Sequence, residues 1–93
     1  MKYRKKPVVI DAWPIKDIID QYWGLGHLDE AVSNAIDDGT LKLALNGIYI
    51  KTLEGGMFGR LEDWLIMGVH NEFYPCKPDV FMLTYEAADG TAA

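Results

Sequence analysis

His70, Glu72, Tyr74 and Cys76 are spaced by two, so on one continuous β-strand they would share a face. A thiol with a histidine beside it and a carboxylate to orient the imidazole is the smallest set for nucleophilic catalysis. Distance argues against that use. Six residues along a strand place His70 about 20 Å from Cys76, beyond hydrogen-bond reach unless the chain folds back. Gly68-Val69-His70-Asn71 also reads as a turn, which would break the shared face. A lone cysteine beside proline and aromatic residues reads as a small buried hydrophobe. No catalytic residue is expected, and the chain is read as a non-enzyme.

Two adjacent acidic pairs, Asp37-Asp38 and Glu62-Asp63, fare no better as general acid and base. Neighbouring strand residues point to opposite faces and do not readily share a proton. Turn and cap chemistry explains them, with Asp63 expected to accept a hydrogen bond from its own downstream backbone. One cysteine and two histidines are too few and too scattered for a zinc cage, and the oxygen ligands of a calcium or magnesium loop are missing. No metal and no cofactor is expected. Glu54-Gly55-Gly56-Met57-Phe58-Gly59-Arg60 could cradle a phosphate on backbone N–H groups, with Arg60 pairing the charge. It lacks the lysine and hydroxyl of a P-loop and falls between strands, so turn glycines are the simpler account. Lys77 and Asp79 lie with Phe73 and Tyr74 around a loop stiffened by Pro75 and Pro78, which suits recognition of a partner or small ligand. With Arg60 and Trp64 these are the candidate binding residues. A tightly packed crossover is the competing account of the same loop.

Charge is divided unevenly. Nine basic residues face fourteen acidic ones, and four of the nine, Lys2, Arg4, Lys5 and Lys6, crowd the N-terminus. A net charge of -5 argues against broad phosphate-backbone binding, so nucleic acid is not an expected partner except through that basic arm. The arm is otherwise a solvated terminus resting on an acidic body. It lacks the apolar stretch of a secretory signal, no apolar run is long enough for a membrane span, and the single cysteine suits a reducing compartment, so the expected location is cytoplasmic.

The elements that must position these residues follow from periodicity. Pro7 to Trp13 reads as a first strand and Pro14 as the first turn of a helix. Ile15, Ile18, Ile19, Tyr22 and Trp23 repeat at helical spacing until Gly24. A second helix uses Leu28, Ala31, Val32, Ala35 and Ile36, closed by Asp37-Asp38-Gly39. From Thr40 the period drops to two, and Asn46-Gly47 predicts a hairpin that pairs Leu45 with Ile48 and Leu43 with Ile50. Turns at Glu54-Gly55-Gly56, Leu61-Glu62-Asp63 and Gly68 to Asn71 separate short strands around Met57-Phe58, Trp64 to Met67 and Glu72 to Tyr74, the last stopped by Pro75. Pro78 opens one helical turn to Phe81, and Leu83-Thr84-Tyr85 returns as a strand. The expected fold is α+β. Two N-terminal helices cover a strongly bent antiparallel sheet or half-open barrel with a central Asn-Gly hairpin, as one domain over 1–86 with a flexible tail at 87–93. A hydrophobic fraction of 49% with 12% aromatic residues suits one small core, and any surplus would sit at a homo-oligomer or partner interface.

The opening Lys2-Tyr3-Arg4-Lys5-Lys6-Pro7-Val8-Val9-Ile10-Asp11-Ala12-Trp13, the middle Asp38-Gly39-Thr40-Leu41 and Thr52-Leu53-Glu54-Gly55, and the later Asp63-Trp64-Leu65-Ile66-Met67-Gly68-Val69 with Glu72-Phe73-Tyr74-Pro75-Cys76-Lys77-Pro78-Asp79-Val80-Phe81 resemble a family of short proteins encoded by bacteriophages and prophages, including phages of actinobacteria. Members usually carry glycine where Glu62 and Asn71 stand here, both at turns. The resemblance brings no catalytic residues and implies a setting, the cytoplasm of an infected bacterium, where small phage proteins commonly bind host factors or sequester defence signals. Three functions follow as expectations. The first is a non-enzymatic accessory protein that binds a host or phage protein. The alternatives are a nucleotide or second-messenger binder using Arg60, Lys77 and the turn glycines, and a nucleic-acid binder using the basic arm.

Overall fold

A computed structural model of the chain describes residues 1–3, 8–24 and 26–86. Among the described residues the architecture is α+β, with three helices and two antiparallel sheets of three strands each. Strand β1 (Asp11–Pro14) begins later than the sequence predicts, and Val8 and Val9 lie exposed before it. Pro14 closes the strand opposite Trp64 and leads directly into α1 (Ile15–Trp23). The orphan N–H of Ile15 at this helix start is satisfied at 3.0 Å by the carbonyl of Asp63. Ile15, Ile18 and Ile19 are buried as their spacing predicts. Tyr22 and Trp23, in the last turn of the same stripe, are about half exposed and pack edge-to-face on each other at 5.1 Å.

Helix α2 (Glu30–Asp37) starts where the Asp29 carboxylate accepts the Ala31 N–H at 2.9 Å. It ends at Gly39, whose φ of 87° is the left-handed cap expected there. Strands β2 (Leu41–Ala44), β3 (Gly47–Thr52) and β4 (Gly55–Arg60) form one sheet in that order. The hairpin exists, but its register differs from expectation. Leu41 pairs with Ile50 and Leu43 with Ile48, so the turn is Leu45-Asn46 and Gly47 is a strand residue. The cause lies on the far side of β3. A Cβ at Gly47 would collide with the Gly59 carbonyl oxygen and stand 2.7 Å from Phe58 Cζ, so glycine serves strand approach rather than the turn. A two-residue shift keeps side-chain parity, and Leu41, Ile48 and Ile50 still bury one face while Leu45 is left in solvent.

β5 (Trp64–Met67) matches its predicted span, and with β1 and β6 (Phe73–Cys76) it makes the second sheet, in the order β1-β5-β6. Pro75 does not stop β6 but pairs with Leu65, which is tolerable because β6 is an edge strand. Asn71 sits at φ 62° in the left-handed region that asparagine enters most readily after glycine. Helix α3 (Pro78–Thr84) is longer than one turn and absorbs Leu83 and Thr84, which were expected as a strand. The strands thus divide into two sheets, and no closed barrel forms among the described residues. The division falls at Leu61-Glu62-Asp63, where the buried Asp63 carboxylate accepts the Arg60 N–H at 3.0 Å and pins the bend.

β6 packs near β3 and β4, and the core of Ile15, Ile18, Leu41, Ile48, Ile50 and Leu65 fills the space between the sheets and helices. Gly59 marks the closest point, because an added Cβ would strike Ile15 Cδ1 and stand 3.2 Å from Pro75 Cβ. No helix among the described residues is long and apolar enough to cross a membrane. Arg4, Lys5 and Lys6 of the basic arm, Pro7 of the expected first strand, and the expected tail at 87–93 lie outside the described residues.

Candidate functional site

The catalytic grouping at the C-terminal motif does not assemble. Phe73 pairs with Met67 and Cys76 with Trp64, so Cys76 and the turn that carries His70 occupy opposite ends of the β5–β6 hairpin. Glu72 is spent on that turn. Its carboxylate accepts the backbone N–H of His70 at 2.9 Å and lies against Gly68, where a Cβ would collide with it. Burial pushes the Cys76 thiol above its ordinary value, and the charges of Asp63 and Asp79 push it further. Thiolate chemistry needs the opposite shift.

The acidic pairs likewise resolve into backbone caps. Asp63 accepts from the upstream Arg60 N–H, not from its downstream backbone as the sequence suggested, because the chain folds back toward β4. Asp38 accepts the Thr40 N–H at 2.9 Å, and the Thr40 side chain first, with this backbone bond second, holds its carboxyl below its ordinary value. Among the described residues no three histidine, cysteine, aspartate or glutamate side chains gather as metal ligands. The glycine-rich run Glu54 to Arg60 is not a phosphate cradle, since Gly55 to Arg60 is the extended strand β4 paired along its length with β3.

The six candidate binding residues separate into three places. Trp64 lies flat on Phe81, with ring centroids 4.0 Å apart and planes 5° from parallel, and Phe81 in turn packs on Tyr85 at 5.2 Å. This aromatic ladder floors a groove of about 450 Å³ walled by Val8, Val9 and Met82. Phe73 is buried against Trp13 at 6.4 Å. With the half-buried Tyr74 it borders a second groove of about 580 Å³, flanked by Thr52, Met57, Asn71 and Glu72. Burial raises the Tyr74 hydroxyl above its ordinary value, with Tyr85 alongside and then Glu72 and Cys76 adding to the shift. Arg60, Lys77 and Asp79 are exposed and border neither groove. Of the basic arm, Lys2 is exposed.

Phe81, Met82 and Tyr85 were not singled out from the sequence. The signal was present, because Phe81 and Tyr85 stand four apart and share a face when their segment is helical. Reading Leu83 to Tyr85 as a strand hid it. No family model matches the chain, no curated protein matches it, and no solved structure matches it, so a functional reading rests on this chemistry.

Proposed function

We propose that this chain is a non-enzymatic binding protein, an accessory protein of a bacteriophage that engages a host protein in the cytoplasm of the infected bacterium. The observation that carries the binding role is the groove over Trp64, Phe81 and Tyr85. Its aromatic floor is built of packed rings, Trp64 stacked on Phe81 and Phe81 tilted on Tyr85, and its walls Val8, Val9 and Met82 are exposed apolar side chains, Met82 to 74%. Rigid aromatic anchors beside adaptable methionine are the usual make-up of a surface that accepts an apolar side chain from a partner protein. The groove suits one or two such side chains. The separation of His70 from Cys76 and the raised thiol support a role without catalysis. The phage setting is supported by the sequence resemblance alone.

The test compares the wild-type chain with Met82→Lys, a change at an exposed position that leaves the core intact. A stoichiometric protein captured from host lysate by the wild type should bind Met82→Lys at least about tenfold more weakly. Equal binding, or no stoichiometric partner for the wild type, removes the reading. Light scattering on the purified chain distinguishes a second copy in the groove from a different protein.

A further inference from the structure

The two faces of the β2–β3–β4 sheet differ in kind. Parity puts Ile48 and Ile50 inward, so Gly47, Tyr49 and Lys51 of β3 face outward. Their partners complete the outer face in three rows. Ala44, Gly47 and Arg60 form one row, Lys42, Tyr49 and Phe58 the next, and Lys51 with Gly56 the third. Tyr49 is 58% exposed, and Lys42, Lys51 and Arg60 are all exposed. Tyr49 and Phe58 lie side by side, with centroids 4.7 Å apart and planes at 56°. The surroundings of this pair are low. Phe58 lies over Gly47, where a Cβ would stand 2.7 Å from its Cζ, and an added Cβ at Gly56 would meet nothing within 4 Å.

Charge on this face runs against the chain as a whole. Outside the N-terminal arm the basic residues are Lys16, Lys42, Lys51, Arg60 and Lys77, and three of these five stand here. The strands themselves contain no carboxylate, and Glu54 lies in the turn between β3 and β4. Among the described residues the one ion pair is Lys16 with Asp20, so no carboxylate ties down these three cations, although Asp38 lies near enough to feel Lys51. The rows of Lys51 and Arg60 are separated by two side-chain repeats, about 14 Å along the strands, with the rings and Lys42 in the row between them.

We propose that this face binds single-stranded nucleic acid, with bases stacking on Tyr49 and Phe58 and phosphates paired by Lys42, Lys51 and Arg60. An exposed ring at Tyr49 beside the half-buried Phe58, flanked by cations, suits an unpaired strand, because every base has a π-face and every linkage a charge. A duplex hides its base faces and would use only the cations. This reading shares no residue with the groove at Trp64, and either could fail alone.

The test is fluorescence anisotropy of labelled oligo(dT) and oligo(rU) with the full chain, titrated across salt. Binding by either strand is expected, with log affinity falling against log salt at a slope of about -2, the value for three phosphates on a single strand. Tyr49→Ala should weaken binding at least about fivefold. Lys42→Gln and Lys51→Gln, exposed changes that leave the core untouched, should each flatten the slope by about 0.7. Several results would overturn the proposal: no binding, a duplex held as tightly as the single strand, or a mononucleotide held as tightly as the oligomer. Loss of binding on Lys5→Gln with Lys6→Gln but not on Tyr49→Ala would move the site to the basic arm. Displacement by polyglutamate, with no effect of Tyr49→Ala, would mean an acidic protein instead of a nucleic acid.

Discussion

Replacing Gly59 by alanine should destabilise the fold, and trimming Ile15 should give part of that loss back. An added Cβ at Gly59 would strike Ile15 Cδ1 and lie 3.2 Å from Pro75 Cβ, where β4, α1 and β6 meet. Overpacking of this kind costs about 1–3 kcal/mol. In a domain of this size each kcal/mol lowers Tm by about 4–8 °C. Ile15→Val alone removes the same Cδ1 from a fully buried site and should cost about 0.5–1.5 kcal/mol. Together the two changes fit each other, since the new methyl enters the space the lost one leaves. The double variant should therefore be more stable than the sum of its parents by about 1 kcal/mol, with a remainder left by Pro75. Urea denaturation followed by circular dichroism gives all four free energies. Additive losses would mean that Gly59 and Ile15 do not touch, and a stable Gly59→Ala would mean that α1 does not pack on β4 as described. Gly56→Ala is the control, because its Cβ would meet nothing within 4 Å, and it should be neutral or slightly stabilising.

Gly47→Ala should cost more than Gly59→Ala, about 3 kcal/mol or above, because its Cβ meets the Gly59 carbonyl, which cannot rotate away; a loss below that of Gly59→Ala in the same denaturation series would contradict the β3–β4 register. Cys76 should react with iodoacetamide more slowly than free cysteine at pH 8, with the midpoint of its rate profile displaced upward by burial and by Asp63 and Asp79; a rate equal to that of free cysteine would deny the burial. Tyr74 titrates higher in the folded chain than in the unfolded one, so its contribution is complete below about pH 10 and is lost as pH rises beyond that. Tyr74→Phe should flatten the fall of the urea midpoint between pH 9 and 11, and an unchanged fall would show that Tyr74 takes no part in it.

What could be read from the sequence was mostly parity and period. The stripe of Ile15, Ile18 and Ile19, the cap at Gly39 and the strand Trp64 to Met67 needed only local rules, and they stand. The hairpin at Asn46-Gly47 shows where local rules end. Its strands and buried face were legible, but its turn was not, because the glycine answers to Gly59 and Phe58, more than ten residues away. Pro75 was read as a stop because nothing local says that β6 is an edge strand. The candidate site suffered most. Phe73 and Tyr74 are adjacent in sequence, and for that reason face opposite ways: Phe73 packs in the core while Tyr74 stands half-buried. The aromatic partner of Trp64 came from α3, whose helix the sequence reading had cut short.

Net charge sums over residues that no single ligand would meet together. At physiological ionic strength a charge more than about 8 Å away is largely screened. A phosphate placed at Tyr49 would therefore feel Lys42, Lys51 and Arg60, and Asp38 near Lys51, more than carboxylates elsewhere in the chain. The composition of that face is also tied to the fold. Slipping β3 by one residue would turn Tyr49 and Lys51 into the core and leave Ile48 and Ile50 in water. Burying even one unpaired ammonium costs several kcal/mol, comparable with the whole stability of a domain this small. The burial of Ile48 and Ile50 thus holds Tyr49 and Lys51 outward, and that part of the basic aromatic surface becomes a consequence of strand parity.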